Sequence, residues 1–225
     1  ADTAVFGALR LLGAQGPGGG YSAFTGNSQD VRVSSVARYP VMPVKQTLTT
    51  TNSARTGVTA TGSNTKFLAF TTTTTTTDVT SGHTITSYGG PTGVNWGPAP
   101  GMKSVYFDGT GDYLQCTLAD TLGTNDWTLE FWVYLRAISA NHIFCAFNGY
   151  APAFYRRSGS TALAVYHNGG ISSPYYNASA DATANKWFHM AYCHDTSENV
   201  MNVFRDGSLL DTFTYTGNIN GTTFR

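Results

Sequence analysis

The chain has 225 residues, enough for one large all-β domain or for one domain with a fragment of another. Its 13 basic and 13 acidic side chains cancel, and charged residues reach only 12%, about half of the ~25% usual in globular domains. A neutral chain has no long-range field to gather nucleic acid or an anionic membrane, so neither is an expected partner.

The opening ADTAVFGALRLLG lacks the basic n-region of a secretory signal. No run in the chain approaches the ~20 consecutive apolar residues of a membrane helix, so membrane insertion is not expected. Within residues 1–44, the stretch QDVRVSSVARYP (29–40) reads as the last strand of a domain, although it stands near the start of the chain. Residues 45–64 have few large apolar side chains and no alternation, and read as a linker. The threonine run at 71–77 follows KFLAF. Because threonine is β-branched, the two together read as a strand passing into an extended loop.

From residue 104 onward strand signals are dense, and helix signals are nearly absent, with only two glutamates in the chain. In WTLEFWVYL (127–135), Trp127, Leu129, Phe131, Val133 and Leu135 fall on one face and Thr128, Glu130, Trp132 and Tyr134 on the other. Aromatics on both faces predict a central strand, partly covered on each side. HIFCAF, PAFYRR, TALAVYH, KWFHMAYCH, NVMNVFR and LLDTFTYT follow, separated by turn residues. Asp206-Gly207 predicts a two-residue hairpin turn, since both residues accept the positive φ angles that match strand twist. Cys116, Cys145 and Cys193 are odd in number and sit in apolar runs, which predicts buried thiols rather than a disulfide. Many short strands with regular turns predict a β-sandwich or barrel.

SVYFDGTGDYLQC (104–116), WTLEFWVYL (127–135), KWFHMAYCHD (186–195) and VFRDGSLLDTF (203–213) together resemble the laminin G-like domains of the concanavalin A-like lectin/glucanase superfamily. The resemblance implies an all-β jelly-roll sandwich of two antiparallel sheets, beginning near residue 65 and running to 225. In that family a closing strand with an ARY tripeptide and a proline follows the last hairpin. Here the chain reaches GNINGTTFR without one, and residues 9–40 carry it instead. Residues 1–44 are then either the tail of a preceding copy, the favoured arrangement, or the completing strand of the sandwich that follows. The wording is similar to laminin G-like modules of bacteriophage fibres and appendages. It implies a non-enzymatic virion protein at the particle surface, with copies of itself, other virion proteins and host-surface polysaccharide as partners. A cellular carbohydrate-binding or adhesion module, outside the cell, is the alternative.

Related glucanases need paired carboxylates about 5–9.5 Å apart. Glu130 has no carboxylate two or four positions away, Glu198 sits in a turn, and a hydrolase is not expected. Glu130 is expected to pair with Arg136 or a hydroxyl, and His189 to be a hydrogen-bonded structural residue. Asp108 and Asp112 are expected to shape a tight turn rather than hold calcium, and no metal or cofactor is expected. A sugar site needs an exposed aromatic face with amides or hydroxyls beside it. Tyr150, His167, Asn168, Tyr175, Tyr176 and Asn177 supply those groups and are the candidate glycan contacts.

Overall fold

The strict alternation of WTLEFWVYL is realised as one strand over Trp127–Leu135 in a computed structural model of the chain, with its five odd-numbered side chains in the core. The structure describes residues 8–11, 24–34, 65–69, 83–117, 123–138, 141–147, 152–156, 163–166, 176–178 and 184–217. The linker read at 45–64, the threonine run and the ARYP sequence at 37–40 lie outside the described residues. Fifteen strands and no helix are found among the described residues. In chain order they are β1 (Ala8–Leu11), β2 (Thr25–Ser34), β3 (Thr65–Ala69), β4 (Ile85–Tyr88), β5 (Thr92–Val94), β6 (Ser104–Asp108), β7 (Tyr113–Thr117) and β8 (Trp127–Leu135). They continue with β9 (His142–Ala146), β10 (Ala153–Arg156), β11 (Leu163–Tyr166), β12 (Tyr176–Ala178), β13 (Trp187–Asp195), β14 (Val200–Arg205) and β15 (Ser208–Thr214).

Two antiparallel sheets result. One runs β12-β11-β10-β9-β1-β7-β4 and the other β15-β14-β13-β8-β2-β6-β5, with β3 joined to β2. Their facing sides share one core, in which Trp127, Phe131 and Tyr192 of the second sheet meet Phe144, Phe147 and Phe154 of the first. The rings pack edge-on or tilted, at 5.7 Å for Phe131–Phe144 and 4.3 Å for Phe154–Tyr192, the geometry aromatic quadrupoles favour. Cys116, Cys145 and Cys193 are all buried thiols, none of them in a disulfide. Burial pushes the Cys145 thiol up from its ordinary pKa, so it stays protonated. The hairpin at Asp206-Gly207 has φ angles of 50° and 83°, the pair of positive values its sequence predicts.

β1 and β2 occupy interior positions, and their partners are this chain's own β7 and β9, and β3, β6 and β8. The place they take is therefore in the middle of each sheet, not at a margin. β2 comes close to β8 because residue 26 is glycine, since a Cβ there would overlap the Tyr134 carbonyl oxygen. Between Gln29 and Arg32 the register with β8 shifts by one residue. That bulge switches the parity of β2. Asn27 and Gln29 before it point away from the core, while Val31 and Val33 after it are core residues.

Phe24 anchors the entry to β2, packed edge-on against Phe107, Phe144 and His142 at 5.7, 6.0 and 6.1 Å. His142 accepts the Thr25 backbone N–H through Nδ1 at 3.4 Å. Burial, aided by the Arg156 charge, lowers the His142 pKa from 6.5 to about 4. The unfolded chain takes up that proton near pH 6.5 and the folded chain only near pH 4. This contribution to stability is therefore complete above pH 6.5 and shrinks as pH falls between those values. Urea unfolding of the wild type should lose about 2 kcal/mol more between pH 7 and pH 4.5 than unfolding of His142→Gln. Equal losses in the two proteins would contradict the assignment.

Candidate functional site

Among the described residues, the outward side of the β15-to-β5 sheet carries a candidate site. Cross-strand register sets Tyr106 opposite Asn27, Asn27 opposite Tyr134, and Tyr134 opposite Trp187, so one row crosses β6, β2, β8 and β13. The next row sets Gln29 opposite Trp132 and Trp132 opposite His189. Over the first row lies Trp96, from the loop NWGPAPGM (95–102) between β5 and β6. Its ring is 4.6 Å from Tyr134 and 5.1 Å from Trp187, and it remains 42% exposed. Two prolines and two glycines keep this loop out of either sheet. It is tied down by the Ser104 hydroxyl, which donates to the Trp96 carbonyl at 2.5 Å, and Ser104 in turn accepts from Asn27 Nδ2 at 3.2 Å.

At one end of the aromatic row, Arg136 lays its guanidinium over the Tyr106 ring, 4.3 Å from the centroid. Asn185, held at φ 62° by donating its N–H to the Leu135 carbonyl at 2.8 Å, accepts the Tyr134 hydroxyl at 3.4 Å. Trp96, Tyr134, Arg136 and Asn185 line a shallow cleft of about 330 Å³. The combination is chemically specific. Flat apolar faces suit the C–H side of a pyranose, while an exposed amide and a guanidinium on the same rim suit its hydroxyls.

Glu130 lies deeper on the same face and is 1% exposed. Its Oε2 is 3.5 Å from His189 Nε2, a partner that the expectation of Arg136 or a hydroxyl did not name. Arg136 lies six residues along, about 20 Å at strand rise, whereas the β8–β13 register brings His189 alongside. Asp108 and Asp112 build a turn. The Asp108 backbone N–H donates to Asp112 Oδ2 at 2.9 Å, and the Thr110 N–H donates to Asp108 Oδ1 at 2.6 Å. Burial raises the Asp112 pKa, opposed by that backbone hydrogen bond. Among the described residues no group of three or more His, Cys, Asp or Glu side chains could hold a metal ion.

Residues 108–225 match the family described as the concanavalin A-like lectin/glucanases superfamily, in its laminin G-like branch. The chain belongs to this superfamily. Its two antiparallel sheets and their shared aromatic core form the jelly-roll sandwich of concanavalin A-like proteins. No curated protein and no solved structure matches the chain. Tyr134, Arg136, Asn185 and Trp187 fall inside the concanavalin A-like match, whereas Asn27, Gln29, Trp96 and Tyr106 precede it.

Of the glycan contacts read from sequence, Tyr150, His167, Asn168 and Tyr175 lie outside the described residues. Tyr176 and Asn177 are in β12, the edge strand of the opposite sheet, so the Trp96 cleft shares no strand with them. The one signal that could have found the cleft is Trp96 itself, a tryptophan in a proline- and glycine-rich loop with no strand pattern to claim it.

Glu130→Leu removes a buried carboxylate together with its contact to His189, and should lower unfolding free energy by about 1–3 kcal/mol in urea titrations. A loss below about 1 kcal/mol would show the pair to be unimportant for the fold.

Proposed function

We propose that this chain is a non-enzymatic carbohydrate-binding or adhesion module whose ligand lies on the Trp96 cleft. The observation that carries the reading is the row Tyr106, Tyr134 and Trp187, capped by the half-exposed Trp96 and rimmed by Arg136 and Asn185. Aromatic side chains that served only the core would sit on the inward face, where Trp127 and Phe131 already fill that need. Membership of a superfamily that spans lectins and glucanases supports a saccharide as the ligand. Within that superfamily the lectin side is favoured, because Glu130 is sealed against His189 and Glu198 stands in an exposed turn.

The setting we infer is a virion surface, as a fibre or appendage component that packs with its own copies and other virion proteins and meets host polysaccharide. The resemblance of GDYL, EFWVY and ARYP to phage laminin G-like modules supports this, as does a surface whose polarity comes from hydroxyls and amides rather than charge.

A printed array of oligosaccharides probed with the whole chain tests the reading. Binding should be selective, and Trp96→Ala should weaken it by about tenfold or more, the equivalent of losing one good stacking contact. Tyr150→Ala and Tyr175→Ala should bind as the wild type does. A flat response on every saccharide, or loss through Tyr175 and not Trp96, overturns the assignment.

A further inference from the structure

Beneath the 95–102 loop the outward face holds an unusual concentration of buried polar atoms without a protein hydrogen-bond partner. Both side-chain amide atoms of Gln29 are in this state, as are Asn27 Oδ1, Trp132 Nε1 and Trp187 Nε1. Gln29 and Asn27 are fully buried. These four residues are neighbours, because register sets Gln29 beside Trp132 in one row and Asn27 two positions from Trp187 in the next. Single unpaired buried groups occur in most proteins. Five such atoms on four neighbouring residues call for a common explanation, since each is withdrawn from water without exchange.

The loop covers Gln29 directly. A Cβ at Gly97 would lie 3.1 Å from Gln29 Oε1 and 2.8 Å from Met102 Cβ, so the loop backbone rests directly on the amide. On the β6 side the loop turns at Gly101, whose φ of 80° favours glycine and which has open space where a Cβ would be. The Ser104 hydroxyl bond to the Trp96 carbonyl, with the edge-on contact of Trp96 to Tyr134 and its tilted contact to Trp187, holds the loop down.

The chemistry of the floor names its occupant. Trp132 and Trp187 offer N–H donors, Asn27 offers a carbonyl acceptor, and Gln29 offers one of each. A carboxylate or sulfate would meet two carbonyl oxygens, whereas a sugar hydroxyl donates and accepts together. We propose that the saccharide site continues beneath the 95–102 loop, where Gln29, Asn27, Trp132 and Trp187 take the hydroxyls of a neutral pyranose once the Trp96 loop lifts. This rests on the cleft being a saccharide site. It adds a second, roofed subsite and a ligand class, the neutral hexopyranoses.

The test uses the whole chain with cellohexaose, maltohexaose and laminarihexaose, three neutral hexamers of different shape, read by titration calorimetry and thermal unfolding. Gln29→Met removes the unpaired amide at nearly constant volume. It should raise or preserve Tm while weakening binding of the preferred hexamer at least tenfold. Trp132→Phe keeps a ring but deletes the N–H, and should weaken binding in the same direction; it carries the test if Gln29→Met does not fold. Wild-type affinity in the folded floor variants, with Trp96→Ala still defective, overturns the roofed subsite and leaves the cleft standing. Binding of none of the three hexamers by the wild type overturns the subsite as stated, and a flat response on the wider array overturns the cleft with it.

Discussion

The structure depends on one strand being accepted into the middle of a sheet. β2 has β8 along one side, and along the other it changes neighbour, from β6 at Thr25–Ser28 to β3 at Val31–Ser34. Each of those partners would otherwise present a row of unpaired backbone N–H and C=O groups beside an apolar face, the arrangement most prone to aggregation. Gly26 permits the close approach to Tyr134, and the bulge after Gln29 returns Val31 and Val33 to the core. β1 performs the corresponding service in the other sheet, between β7 and β9. The jelly roll whose family match spans 108–225 is thus joined within this chain by strands from the first 34 residues.

That placement also makes the outward face. Before the bulge, β2 turns Asn27 and Gln29 outward into a field of aromatics supplied by β6, β8 and β13, and this mixture of flat rings and amides is the chemistry on which the proposed saccharide site rests. After the bulge the same strand serves packing alone on its inward side. Fold completion and the proposed ligand face are therefore two halves of one strand, divided by a single extra residue. The matched family region supplies β8 and β13 with Trp132, Tyr134 and Trp187, while the Trp96 loop and the two amides of β2 come from the residues before it.

Much of this was legible in the sequence wherever the signal was local. The alternation of WTLEFWVYL fixes both the bounds of β8 and which side chains face inward, because a period of two admits no other pleat. Asp206-Gly207 demanded positive φ at both positions and has it. The site was not legible for the opposite reason. Tyr106, Tyr134 and Trp187 are neighbours only through the register of four strands, and Asn27 and Gln29 face them only because of a bulge that no residue in QDVRV announces. Glu130 went to His189 rather than Arg136 because neighbours across a sheet are closer than residues six apart along a strand. A loop rich in tyrosine and asparagine drew attention to 167–177, whereas the exposed tryptophan of NWGPAPGM sits in a loop of the kind sequence patterns pass over.

The most direct test of the central claim is to prepare residues 65–225 alone and follow urea unfolding by tryptophan fluorescence, then repeat with residues 1–44 supplied as a separate peptide. Without β1 and β2 the fragment should show no cooperative transition and should aggregate, and addition of the peptide should restore a single sharp one. A fragment that unfolds cooperatively by itself, with the stability of the whole chain, would contradict the account.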